Sequence, residues 1–107
     1  MSRVIDGDTI VFKEIDMGLD VWVKNKHARL LGINAPELHA KDLETRFEAN
    51  EAKEYLENRL TEDTIVIIKI REYNPLDSFG RILADVYLED ELLNDTMLAK
   101  GFAVVFE

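Results

Sequence analysis

The sequence predicts a mainly β domain with two helices, folded as a five-stranded Greek-key β-barrel of the OB type. Short β-branched and apolar runs recur along the chain, a helical stretch follows the third of them, and a second short helix precedes the last. The competing ferredoxin-like sandwich needs a helix between its first two strands, and no helical pattern lies there.

Val4-Ile5 and Thr9-Ile10-Val11-Phe12 form the first extended run, interrupted by Asp6-Gly7-Asp8, where Gly7 permits a bend or bulge and sets two carboxylates at a strand kink. Asp16-Met17-Gly18 signals a turn, after which Val21-Trp22-Val23 resumes extended structure. His27 to Ile33 reads as another strand, ended by Asn34-Ala35-Pro36, because Pro36 biases Ala35 away from helix. Residues 45–60 read as a helix: Ala49, Ala52, Leu56 and Leu60 recur at spacings of three and four, and Thr45 with Glu48 fits a capping box. Thr64 to Ile70 is a strongly β-branched strand, Asn74-Pro75 a loop, and Arg81 to Leu88 the next strand. Leu92 to Lys100 is the second helix, with Gly101 in the position just past its end, and Phe102 to Phe106 is the last strand.

The 107 residues suit one domain spanning 1–107 with a single core. No cysteine is present, which excludes disulfides, thiolate metal sites and cysteine nucleophiles. No apolar run is long enough to span a membrane and no signal-peptide core opens the chain, so the expectation is a cytoplasmic protein, monomeric by default. The net charge of −9 speaks against a partner held by a broad basic surface. That charge is uneven: residues 1–36 are neutral overall, and the acidic excess lies outside this first third, −5 over residues 37–63 and −4 over residues 64–107.

Three segments carry the chemistry: Val4-Ile5-Asp6-Gly7-Asp8-Thr9-Ile10, Arg29-Leu30-Leu31-Gly32-Ile33-Asn34-Ala35-Pro36-Glu37, and Asp77-Ser78-Phe79-Gly80-Arg81-Ile82-Leu83-Ala84. In order and spacing, together with the terminal Leu98-Ala99-Lys100-Gly101-Phe102-Ala103, they resemble the staphylococcal-nuclease-like (thermonuclease) family over nearly the whole chain. The resemblance implies a barrel that hydrolyses phosphodiester bonds of DNA or RNA with Ca²⁺. It places Asp8 as the main metal carboxylate, Asn34 and the Ala35 carbonyl as further metal ligands, and Glu37 as general base or water-orienting group. It makes Arg29 and Arg81 the pair that grips the phosphate, and sets Asp6 near the metal through water.

The chemistry suits these residue types. A hard cation with oxygen ligands polarises a non-bridging oxygen, guanidiniums offer forked donors to phosphate, and a carboxylate orients or deprotonates the attacking water. Alone, Asp8 reads as a turn residue and Glu37 equally as a loop charge or a functional group, whereas Arg29 inside an otherwise apolar strand already favours function over an edge or outward-facing role; together they point to function. His27 and His39 match no motif and default to core packing or surface, while Trp22, Tyr73, Phe79 and Tyr87 are expected to pack rather than stack on bases, although Phe79 stands where the family often has a base-stacking tyrosine.

Departures from the family pattern sharpen the expectations. Asn34 replaces the usual aspartate, which lowers the charge count of the metal site. The Ile15-to-Asp20 stretch predicts an elongated hairpin, Glu107 falls where a nucleotide-contacting tyrosine is expected, and the C-terminal helix of larger members has no counterpart here. They keep a second reading open, a catalytically weak or inactive barrel that binds nucleic acid or protein. Either way, the acidic balance predicts weak affinity for nucleic acid, with a bound cation and two arginines recruiting one phosphate locally.

Overall fold

Alternating apolar residues and a glycine-containing kink start the chain as a hairpin. A computed structural model describes residues 3–106. In it β1 (Arg3–Asp6) pairs antiparallel with β2 (Thr9–Asp16), and the register slips between Val4 and Asp6, the bulge expected beside Gly7. The β2 strand then pairs with β3 (Trp22–Leu30) in a long hairpin, the elongation foreseen in the sequence. Its tip is closed by the Gly18 N–H donating to Asp16 Oδ1 at 2.9 Å, with Gly18 at φ 85°. The two strands expected at Val21–Val23 and His27–Ile33 are one continuous strand. A turn at Leu31-Gly32 then separates it from the short β4 (Ile33–Asn34).

After α1 (Leu43–Arg59) come β5 (Ile67–Ile70), β6 (Ile82–Leu88), β7 (Glu91–Leu92), α2 (Leu93–Ala99) and β8 (Val104–Val105). The main sheet runs β1-β2-β3-β6-β5 with β7 beside β6, while β4 and β8 form a separate two-stranded ladder. Five principal strands with a helix inserted after the third correspond to the expected OB arrangement. β3 pairs parallel with β6 where every other ladder among the described residues is antiparallel. The sheet wraps one core: Ile10 and Phe12 from β2, Ala28 and Leu30 from β3, Ala84 and Val86 from β6, closed by Leu56 of α1 and Leu93 and Met97 of α2. No described helix is long and apolar enough to cross a membrane.

Several expectations are corrected. Helix α1 starts at Leu43, capped by Asp42, whose side chain accepts the Glu44 N–H; Thr45 is not the cap but donates its hydroxyl to Asp42 at 2.8 Å. Only Ile67–Ile70 of the 64–70 run joins a ladder; the Thr64 N–H donates instead to the Thr61 carbonyl at 3.1 Å. Trp22, Tyr73 and Phe79 are exposed rather than packed. Phe102 to Phe106 contributes only Val104–Val105 as strand. Gly101, at φ 77°, does follow the end of α2 as expected. His27 and His39 are both at the surface, and Glu107 lies outside the described residues.

Two polar clusters lock the helices to the sheet. Buried Asn94 accepts the Val86 N–H at 3.0 Å and donates to the carbonyls of Leu31 and Ala84 at 2.9 and 3.2 Å, which fixes α2 against β6 and the end of β3. Glu91 is not the free turn acid of the sequence reading. It forms a two-pronged ion pair with Arg59 at the end of α1, and Thr96 Oγ1 donates to it at 2.6 Å. These donors hold the Glu91 carboxyl down at about 2, below its ordinary 4.5. Stabilisation from a depressed carboxyl is complete above pH 4.5 and fades as pH falls towards 2. Glu91→Gln is therefore expected to cost about 1 kcal/mol at pH 7, a figure kept small because the pair is partly exposed and screened. Denaturant melts at pH 7 and pH 2 check this, the difference between variant and wild type vanishing at the lower pH.

Candidate active site

The kink at Gly7 places two carboxylates at one end of the sheet. Asp6 Oδ1 accepts the Asp8 N–H at 3.0 Å, a local turn that fixes both side chains. Gly7 is required by space: a Cβ there would lie 2.7 Å from the Ala52 Cβ on α1 and 2.8 Å from the Ala35 Cβ. The helix and the loop after β4 thus close directly over the turn. Asp8, only 6% exposed, accepts the Ala35 N–H at Oδ2 (2.9 Å) and the Thr9 hydroxyl at Oδ1 (3.0 Å). Its backbone carbonyl accepts the Leu30 N–H, so the residue is tied to β3 as well as to the loop after β4. Burial, and the nearby Asp8 carboxylate, push the Asp6 carboxyl up to about 6.

Arg29 lies on β3 and Arg81 immediately precedes β6, and both side chains reach this turn. Arg29 sits opposite Thr9 in the β2–β3 ladder, donates from Nη2 to Asn34 Oδ1 at 3.0 Å and lies 3.7 Å from Asp8 Oδ2. Its guanidinium stacks 4.7 Å from the Phe106 ring centroid. Arg81 follows a tight turn with Gly80 at φ 80°; its backbone N–H and its Nε both donate to the Asp77 carboxylate, at 2.9 and 2.6 Å. Burial alone would raise the Asp77 carboxyl, but these donors and the Phe79 N–H outweigh it and hold the group below its ordinary value. Arg81 Nη1 reaches Thr9 Oγ1 at 3.4 Å, the long end of hydrogen bonding, and the Phe79 ring lies 5.3 Å from its guanidinium. The result is a continuous polar chain: Arg81 to Thr9, Thr9 to Asp8, and Arg29 between Asp8 and Asn34.

Asp8, Arg29, Asn34 and Arg81 of this polar chain line an open cleft of about 710 Å³. The structure brings all six sequence-predicted residues to its walls: Asp8, Arg29, Asn34, Ala35, Glu37 and Arg81, with Asp6 beside them. Glu37 is exposed at the rim, on the turn that Pro36 opens. Sequence reasoning passed over Thr9, Asp77, Phe106 and Arg71. Asp77 has a local signal, an acid four residues before Arg81 across a glycine turn; Arg71 and Phe106 reach the cleft only through strand register and have none.

A family model described as staphylococcal nuclease homologue matches residues 27–107, three quarters of the chain. This chain belongs to that family. Among its relatives, a thermonuclease of Staphylococcus intermedius is 31% identical over 103 residues, covering 96% of this chain and 56% of its own length. A thermonuclease of Staphylococcus hyicus is 30% identical over 103 residues, covering 94% of this chain and 54% of its own. An uncharacterized protein of Methanocaldococcus jannaschii is 25% identical over 124 residues, with 97% and 56% covered. The chain spans about half the length of the curated relatives it matches.

As a metal site, this end of the sheet offers only oxygen donors: the Asp8 and Asp6 carboxylates, Asn34 Oδ1, the Ala35 carbonyl and, further out, Glu37. Hard oxygen donors of this kind suit Ca²⁺, which takes six to eight of them and accepts water for the balance. No cluster of three or more His, Cys, Asp or Glu side chains fit to hold a metal occurs among the described residues. The donors are thus hard oxygens of the kind calcium takes, but their carboxylates do not gather into one cluster.

Proposed function

We propose that this chain is a calcium-dependent nuclease that hydrolyses phosphodiester bonds of DNA or RNA in the cleft between Asp8 and Arg81. The observation that carries the reading is the polar chain through Arg81, Thr9, Asp8, Arg29 and Asn34, which holds two guanidiniums and one buried carboxylate around a common space. The thermonuclease relatives support it.

In this reading Arg29 and Arg81 bind the phosphate through forked donors that remain charged at every working pH. Asp77 orients Arg81, and Phe79 and Phe106 cover one flat face of each guanidinium, so the in-plane N–H groups aim into the cleft. As negative charge grows on the non-bridging oxygens, these fixed donors bind it more tightly than they bind the ground state. Glu37, free at the rim, orients the attacking water and accepts its proton. Asp8, Asn34 and the Ala35 carbonyl would hold calcium, which supplies polarisation of a phosphate oxygen when bound.

Cleavage of a single-stranded oligonucleotide in millimolar calcium, lost on chelation, tests the activity. The metal ligands are tested separately by calcium titration: Asn34→Asp adds a formal charge and is expected to tighten binding about tenfold, since affinity follows ligand charge. Identical titrations of the two proteins would remove Asn34 from the ligand set. Asn34 Oδ1 already accepts from Arg29, the one observation that favours a weakly metallated, catalytically slow barrel over an efficient enzyme.

A further inference from the structure

We infer that Arg71 is a third phosphate-binding residue, forming a subsite for a phosphate next to the one held by Arg29 and Arg81. The inference rests on the nuclease reading of the cleft and extends it: it makes the ligand a polynucleotide with several phosphates rather than a mononucleotide.

Strand register places Arg71 there. Thr9 is the ladder partner of Arg29, and Arg29 is the ladder partner of Leu83. On the far side of β6, Ile70 pairs with Ala84 and the Arg71 N–H donates to the Leu83 carbonyl at 3.0 Å. Thr9, Arg29, Leu83 and Arg71 therefore form one row across four neighbouring chain segments. Directly opposed residues point to the same face of a sheet, and Arg81, two residues before Leu83, shares that face. Two strand spacings of about 4.8 Å separate the Arg71 and Arg29 backbones, a gap that long arginine side chains can bracket with adjacent phosphates. Both line the same cleft.

The state of the guanidinium adds a second argument. Arg29, Arg59 and Arg81 each lie against a carboxylate, whereas Arg71 makes no ion pair with any described residue. It is nonetheless held in place: its Nε and Nη2 both donate to the Asn74 carbonyl, at 3.0 and 2.7 Å, where Asn74 adopts φ 50°. This clamp uses one edge of the fork and leaves Nη1 without a hydrogen-bond partner among the described residues. A cation that is oriented, exposed and unneutralised at the mouth of a phosphate cleft is ready for an anion, and ordering it costs a ligand little. In a chain of net charge −9, it also supplies positive potential where the strand of nucleic acid would continue.

The test is equilibrium binding in calcium of two ligands, thymidine monophosphate and the trinucleotide pTpTpT, with Glu37→Gln in every protein so that the trinucleotide survives. Arg71→Ala is expected to weaken the trinucleotide about tenfold while leaving the monophosphate within about twofold. Its slope of log affinity against log salt should fall by about 0.7, one single-strand phosphate contact. Arg71→Lys keeps the charge but not the two-donor clamp, and should retain the wild-type slope. Trinucleotide binding unchanged in Arg71→Ala overturns the inference. So does equal loss of both ligands, which would mean that Arg71 only braces the loop leading to Arg81. Binding of neither ligand by the parent Glu37→Gln protein would overturn the nuclease reading along with this one.

Discussion

Arg81→Ala is expected to lower the rate of oligonucleotide cleavage about 10³-fold while leaving the melting temperature nearly unchanged. The magnitude is that of removing one preorganised charged donor from a transition state that gains negative charge. Most of the loss should fall on kcat rather than KM, because the guanidinium interacts more strongly with the charge-rich transition state than with the bound diester. The fold should tolerate the change. Asp77 keeps the backbone N–H groups of Arg81 and Phe79, and the turn between them is made by Gly80, not by the arginine side chain. Arg81→Lys should recover little, since an ammonium cannot donate to Asp77 and a phosphate in the fixed plane that a guanidinium provides. Steady-state kinetics with thermal melts on the three proteins decide the matter; a loss below about tenfold, or one confined to KM, would place Arg81 outside the reacting centre.

Gly7→Ala is expected to cost about 3 kcal/mol of stability and, through it, the geometry of the metal site. The added Cβ would meet the Cβ atoms of Ala52 and Ala35, both closer than 3.0 Å. Neither is the end of a flexible side chain, so relief requires movement of the α1 backbone or of the loop after β4. Overpacking of this kind costs about 1–3 kcal/mol, and in a domain of this size each kcal/mol lowers Tm by roughly 4–8 °C. Movement of residue 35 also breaks the Ala35 N–H bond that orients Asp8. Calorimetry should show a Tm lower by 10 °C or more, with calcium affinity reduced in the fraction that remains folded. A melt within a few degrees of wild type would show that the close contact is relieved at no cost.

The parts of the site legible in the sequence are those whose chemistry is local. The Asp6-Gly7-Asp8 kink, the Pro36 break before Glu37 and the Phe79-Gly80-Arg81 turn each carry their own punctuation, and the fold delivers all three to one cleft. Sequence and structure part where a local preference competes with partners remote in sequence. Thr45 and Asp42 are both good helix caps, and the choice between them fell to Asp42 with Thr45 satisfied as its donor. Thr64-Ile65-Val66 has high β-propensity, but the backbone and side chain of Thr64 hydrogen-bond to Thr61 in a turn, so propensity alone did not make a strand. Trp22 looked like a core residue, yet the long hairpin carries it to the rim. Glu91 looked like a solvated turn acid because its partner, Arg59, lies at the end of a helix far away in sequence. Arg71 belongs to the same class: its place beside Arg29 follows from the order β3-β6-β5, which no pattern within residues 64–74 encodes.

Charge is the property whose meaning changed most once the fold was known. The overall −9 stands, but the cleft gathers Arg29, Arg71 and Arg81 on one face. The acidic excess lies outside the first third of the chain, with Glu89 and Asp90 exposed beside Glu91, which Arg59 neutralises. Weak overall attraction with local phosphate recognition predicts a nuclease dependent on its metal and sensitive to salt.

The central claim, that this cleft hydrolyses phosphodiester bonds with calcium, is tested most directly by incubating the folded chain with a short single-stranded oligonucleotide, in millimolar calcium and again after chelation. Folding is verified by circular dichroism on the same sample. The account predicts cleavage in calcium, none after chelation, and none in calcium when Glu37 is replaced by glutamine. An intact oligonucleotide after prolonged incubation of the folded protein in calcium would contradict it.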